Sequence, residues 1–388
     1  MSNNDIVRHL VLSSTGKDSE AATWWAYHNL PFDSWDMLFS DLNWDHKDVY
    51  SHLEYLESRI GKKFIKLRSK FFEDKISNEI RQQIVEIFGY ENVFAEMIMY
   101  RTRFPSTKAR FCTDDLKVKP VIDYILDECH YDLIIIQGVR AEESEARRNL
   151  KFRDDYFKFY LEPYGYDKKG KPKFHTYRKA DVLAHLEKYD VTVYRPILKL
   201  SHNEVFNIIF ENDSPGNPLY RAGMSRVGCF PCIMCRLSEI RMIATHEPEK
   251  IEQIYKLEQL ANSTFFPPLY IPARYCTKTA EVKVYREDLI PLFGGKVSKK
   301  INKDQTSVFV DSEKPINPEE RLYNMYFKND KIPVYLDDDE NEYIIRRVKV
   351  PTIKDVAKYV LANPNQTDFL GGAAGCVSVY NICESNLV

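Results

Sequence analysis

The chain has 388 residues, of which 44% are hydrophobic and 29% charged, with a formal net charge of −2. Such a chain is globular and larger than one ordinary domain, and its near-neutral balance means that any contact with nucleic acid must come from a local basic patch. No apolar run reaches membrane-spanning length and the polar start Met1-Ser2-Asn3-Asn4-Asp5 is no signal peptide, so a cytoplasmic location without membrane contact is expected.

In chain order, short apolar runs alternate with helical stretches through the first half. Strands are predicted at His9–Leu12, Trp35–Ser40, Lys63–Lys66, Leu133–Gln137 and Val191–Tyr194. Helices are predicted at Glu20–Asn29, Asp48–Ile60, Val118–Glu128, Lys179–Glu187 and Asn203–Asn212. This alternation predicts an α/β fold with a doubly wound parallel sheet. Lys151 to Lys179, rich in Tyr, Phe and Lys, reads as an inserted lobe outside the sheet core, with aromatic and basic residues interleaved. Beyond about residue 250 the alternation is lost. Ile332–Leu336 and Tyr343–Val350 flank an acidic turn at residues 337–341 and predict a hairpin, followed by a helix at Ile353–Ala362. The expected organisation is a nucleotide-binding domain over residues 1–245 and a C-terminal α+β appendage over 246–388.

The first strand runs into Ser13-Ser14-Thr15-Gly16-Lys17-Asp18-Ser19. A small hydroxyl-rich turn there aims backbone N–H groups and the positive end of a helix dipole at an anion. Lys17 adds a cation, Ser14 and Ser19 add hydroxyls, and Asp18 is suited to a phosphate-bridging magnesium ion. The spacing is not that of a Walker loop. It resembles the Ser-Gly-Gly-Lys-Asp-Ser loop of the ATP pyrophosphatase (PP-loop) superfamily, with its adenine nucleotide alpha hydrolase-like, HUP-like fold. Thr15 stands where that loop has its first Gly, and a β-branched residue is strained there if φ is positive.

Four further segments extend the resemblance. They are Pro105–Pro120 with Lys108, Arg110, Cys112 and Lys117; Gly138-Val139-Arg140 with Arg147; Arg195-Pro196-Ile197; and Gly216–Cys232. In this order the five motifs resemble the phosphoadenosine phosphosulfate (PAPS) reductase family across roughly residues 7 to 240. Lys108, Arg110, Lys117, Arg140 and Arg147 supply positive charge suited to a polyphosphate or sulfonucleotide. The resemblance implies that Asp41 recognises the adenosine end, although Leu42-Asn43 replace the usual Thr-Gly after it. Lys17, Asp18 and Arg140 are the candidate catalytic residues. Ser14, Thr15, Gly16, Ser19 and Gly138 complete the expected nucleotide site.

Three of the eight cysteines fall at Cys229, Cys232 and Cys235. Clustered thiols in a reducing compartment point to metal or redox chemistry. Adenylylsulfate reductases hold a [4Fe–4S] cluster with two cysteine pairs; this chain resembles them at Cys229 and Cys232 but has only Cys112 at the earlier place, with Phe111 where the other Cys would stand, so Cys235 is the candidate for the missing thiolate. Zinc suits the same four thiolates, and free cysteines without a metal are the third reading. Cys376 and Cys383 lie near the C-terminus, without the Glu-Cys-Gly-x-His segment that carries the family's nucleophile.

The retained Lys17-Asp18 pair resembles the ATP-cleaving members of the superfamily. This implies cleavage of ATP to AMP and pyrophosphate, activating a substrate for sulfur transfer. DNA phosphorothioation and tRNA thiolation are the models, with nucleic acid as acceptor and a sulfur-donor protein as partner. A PAPS or adenylylsulfate reductase that releases sulfite with a thioredoxin-like reductant is the alternative. A non-catalytic nucleotide-sensing or nucleic-acid-binding module is the third reading.

Overall fold

The computed structural model describes residues 7–107, 109–167, 169–267, 270–285, 296–302, 305–311, 332–333, 335–336 and 342–364, with backbone alone between 282 and 348. These residues divide into two compact units, the first ending at Ile243 and the second starting at Ala244.

Runs such as Leu10-Val11-Leu12 and Leu133-Ile134-Ile135-Ile136 are too short and too uniformly apolar for an amphipathic helix, and they form the centre of a sheet. Its strands are β1 (Val7–Leu12), β2 (Trp35–Ser40), β3 (Phe64–Leu67), β4 (Asp132–Gln137), β5 (Arg153–Asp155) and β8 (Val191–Tyr194), with a separate two-residue ladder β6 (Gly165–Tyr166) and β7 (Pro172–Lys173). The order is β3-β2-β1-β4-β8-β5. Every pair is parallel except β5 with β8. Leu12 stands opposite both Leu38 and Gln137, so the ends of β1, β2 and β4 lie side by side. The strand order reverses between β1 and β4, which opens a crevice at their C-terminal ends.

Local signals set the helix limits. Helix Lys47–Ile60 starts where His46 Nδ1 accepts the Asp48 N–H and stops at Gly61 with φ 79°. Helix His202–Glu211 starts at a reciprocal Ser201–Glu204 capping box. The predicted strands and helices of the first half are all present, within a few residues at their ends. Helices Asn78–Phe88 and Val93–Arg101 were not expected from the sequence; each is capped by a side chain, Ser77 and Asn92 respectively.

Within Lys151–Lys179, Gly165–Tyr166 and Pro172–Lys173 form a ladder of their own, while the residues before them join the main sheet. Arg153–Asp155 adds the antiparallel edge strand, and Phe157 and Tyr160 enter the core beside Leu10, Ile125 and Leu133. Their rings bury in the sheet–helix core, while Lys158 between them is half-buried, with its ammonium near Asp154 and Glu162.

In the second unit, Lys278–Tyr285 pairs antiparallel with Glu342–Val350, and Tyr335–Leu336 joins the latter strand. The expected Ile332–Leu336 strand is divided, because Ile332–Pro333 pairs instead with Gln305–Asp311. The expected turn at residues 337–341 lies outside the described residues. Helix Ile353–Ala362 forms as predicted, capped reciprocally by Thr352 and Asp355. The buried Glu258 accepts the N–H groups of Phe265 and Ile353, and burial pushes its carboxyl up to about 8. Among the described residues, no helix is long and apolar enough to cross a membrane.

Candidate nucleotide site and cysteine pocket

The turn after β1 is held by its own hydroxyls. Ser14 N–H donates to Ser19 Oγ at 3.0 Å, and Ser19 Oγ donates to the Gly16 carbonyl at 2.9 Å. Thr15 has φ 58°, the left-handed region expected to strain it. Asn217 Nδ2 offsets that strain by donating to Thr15 Oγ1 at 3.0 Å. Gly16 then leads in extended conformation into helix Lys17–Asn29.

Charge gathers on the first turn of that helix. Asp18 accepts from Lys17 Nζ at 3.1 Å and from Arg140 Nε at 2.5 Å. Arg140 also donates to Glu142 at 2.7 Å, while Arg147 pairs with Glu143. Lys17, Asp18, Arg140 and Arg147 are all buried. In that low-dielectric setting charges interact more strongly than in water, and each of the three cations is already balanced by a neighbouring carboxylate. Gly138 is required by close approach: a Cβ there would lie 2.2 Å from the Asp18 carbonyl oxygen.

The strand ends also carry orphaned polar atoms. Ser13 Oγ, Ser40 Oγ and Gln137 Nε2 are buried without a hydrogen-bond partner. Arg195 Nε donates to Gln137 Oε1 at 3.1 Å, which fixes the amide. The three follow or end β1, β2 and β4, at the crevice where the strand order reverses.

Asp41, expected at the adenosine end, is occupied by protein groups. It accepts from Tyr50 at 2.8 Å, Arg68 at 2.8 Å and the Asn43 N–H at 3.1 Å. Arg110 donates to the Thr107 carbonyl at 3.2 Å. Lys108, Cys376 and Cys383 lie outside the described residues.

Cys112, Cys229, Cys232 and Cys235 line one cavity of about 50 Å³, together with Lys117 and Arg226. All four are thiols outside any disulfide. Among the described residues no three His, Cys, Asp or Glu side chains are gathered as a metal-binding group. The four sulfurs thus share a cavity wall without converging on a point. Lys117 Nζ lies 3.5 Å from Cys229 Sγ. Burial pushes the Cys229 thiol up, and the Lys117 ammonium opposes it.

Distant contacts shape this pocket. Phe230 N–H donates to the Trp44 carbonyl at 3.0 Å, and Trp44 Nε1 donates to the Pro231 carbonyl at 2.9 Å. Glu239 closes the loop's neck: Oε1 accepts from Ser225 N–H at 3.0 Å and Ser225 Oγ at 2.7 Å, and Oε2 from Arg236 N–H at 2.8 Å. In the sequence Glu239 is marked only by standing four residues after the last clustered cysteine. Asn217 and Tyr220 lie within the Gly216–Cys232 segment, where the sequence alone gives neither a role.

A hydroxyl-rich turn at the strand-order reversal, backed by buried charge, is the arrangement of a nucleotide-binding α/β domain. Residues 8–235 match the phosphoadenosine phosphosulfate reductase domain, and the chain belongs to that family. An uncharacterised 37.8 kDa protein of Escherichia phage 186 is 33% identical over 314 residues, covering 72% of this chain and 84% of that protein. An uncharacterised protein of Methanocaldococcus jannaschii is 23% identical over 246 residues, covering 63% of this chain and 40% of that protein. Among solved structures, a phosphoadenylyl-sulfate reductase from Candida auris in a phosphate complex aligns at 12% identity, with TM-score 0.34, over 59% of this chain and 84% of that one.

Proposed function

We propose that this enzyme binds ATP with magnesium across Ser13–Ser19 and splits it to AMP and pyrophosphate, activating an acceptor for sulfur transfer. The observation that carries the nucleotide reading is the set of orphaned buried atoms, Ser13 Oγ, Ser40 Oγ and Gln137 Nε2. Leaving each unpaired costs about 1–3 kcal/mol, a cost that ligand oxygens and nitrogens remove.

The charged group supports cleavage. An acceptor oxygen attacks the α-phosphorus, and the bond to the bridging oxygen breaks with its electron pair leaving on pyrophosphate. Lys17 and Arg140 offset the charge that develops there, and Asp18 orients both cations. Sulfide-level sulfur from the donor then attacks the activated atom, and the bond to the adenylated oxygen breaks with its electron pair leaving on AMP. A nucleic acid, DNA or tRNA, is the proposed acceptor, and a sulfur-donor protein the proposed partner.

The four thiols fit a metal centre in number and chemistry. Cys112, Cys229, Cys232 and Cys235 would hold a [4Fe–4S] cluster or zinc, and Lys117 would lie against it. A bound cluster would supply electron or sulfur chemistry; zinc would supply structure alone.

The family match favours a second reading, reduction of PAPS or adenylylsulfate to sulfite. Pyrophosphate release from ATP, measured against sulfite release from PAPS with thioredoxin, separates the two. Sulfite without pyrophosphate overturns the first reading. Absorption of anaerobically purified protein, with iron and zinc counted on the same sample, identifies the metal.

A further inference from the structure

The first N–H of the turn's helix is already engaged. Lys17 N–H donates to the Tyr220 hydroxyl at 2.8 Å, a partner 203 positions along the chain. An oxygen at hydrogen-bond distance from a helix N-terminal N–H is where an anion's oxygen sits.

Tyr220 is held there from several sides. It ends the short turn Pro218–Tyr220, which begins where Asn217 Oδ1 accepts the Leu219 N–H at 3.1 Å. The same Asn217 grips Thr15, so the segment touches the phosphate turn twice. Phe206 meets the Tyr220 ring edge-on at 5.7 Å. Lys17 Nζ lies 5.9 Å from the ring centroid. Burial and the Asp18 carboxylate push the phenol above its ordinary value, which keeps it a neutral hydroxyl.

The chain then passes directly to the cysteines. A Cβ on Gly16 would lie 3.6 Å from the Tyr220 hydroxyl and 3.5 Å from the Val227 carbonyl oxygen, so residues 220 and 227 both lean on the turn. Met224, Arg226 and Val227 also line the cysteine cavity.

We infer that Tyr220 is a positioning residue whose phenol oxygen stands in for a phosphate oxygen on the Lys17 N–H and is displaced when the nucleotide's phosphates bind. The displaced segment transmits phosphate binding to the cysteine cavity through residues 221–228. This inference rests on the nucleotide reading of the Ser13–Ser19 turn.

Titration of the full chain with inorganic pyrophosphate tests it. Tyr220→Phe has no internal hydrogen bond to break, so it binds roughly two- to tenfold tighter than the parent. Phe206→Leu loosens the ring while keeping the hydroxyl, and shifts affinity the same way by less. Amide hydrogen exchange over residues 221–228 changes rate when pyrophosphate is added to the parent, whereas Tyr220→Phe exchanges at the ligand-bound rate from the start. Equal or weaker binding by Tyr220→Phe overturns the displacement while leaving the nucleotide reading intact. Binding of neither pyrophosphate nor ATP by parent and variants alike overturns both.

Discussion

The Ser13–Ser19 turn and the cysteine loop lie in one unit, yet they are organised by different forces. The turn is stiffened from within, by Ser14, Ser19 and Gly16 over a few residues, and then braced by Arg140 and Asn217. The cysteine loop is shaped from without, by Trp44 on one flank and Glu239 at its neck. The turn presents fixed charge. The loop presents thiols that share a cavity but have not converged. A rigid charged cradle suits a ligand of constant shape, whereas unconverged thiols suit a centre whose arrival completes their geometry.

Four variants test that contrast. Gly138→Ala drives a methyl into the Asp18 backbone and is expected to be the most damaging, at about 3 kcal/mol of stability in chemical denaturation. Parent-like stability there would mean that the turn is far softer than its close packing implies. Lys17→Ala removes a charge-assisted phosphate contact of about 1.5–3 kcal/mol, and pyrophosphate affinity by calorimetry drops roughly ten- to a hundredfold. Metal content should not change, so a parallel loss of both would erase the distinction between the two regions. Glu239→Ala leaves the Ser225 and Arg236 N–H groups without their acceptor, costing about 2 kcal/mol. Its bound iron or zinc should fall while pyrophosphate affinity holds, which an equilibrium metal count and the same titration reveal. Asn217→Ala is the mildest, at about 1 kcal/mol, and Thr15→Gly in that background recovers most of the loss by relieving the positive φ. A further decrease on adding Thr15→Gly would show that Thr15 is not strained.

The sheet was legible because its central strands are short apolar runs ending in turn residues, a pattern independent of distant contacts. Trp35–Ser40 and Val191–Tyr194 fall where the sequence places them. The Ser13–Ser19 turn was legible for the same local reason. Arg153–Asp155 was not, because a polar three-residue edge strand takes its identity from the neighbour it pairs with. Tyr220, Asn217 and Glu239 were hidden likewise, since their roles exist only through partners far along the chain or across a loop. Asp41 shows the converse. Its position was legible, but the three donors that occupy it in the structure come from Asn43, Tyr50 and Arg68.

Glu239 also gives the thiol loop an unusual topology. By bonding Ser225 and Arg236 to one carboxylate, it turns residues 225–236 into a ring closed without a covalent bond. A ring has fewer open conformations to lose than a free segment, so much of the ordering entropy of the three clustered thiols is spent in folding and not at metal capture. Loading and extraction of an ion, if these thiols take one, would therefore be a local exchange within the ring.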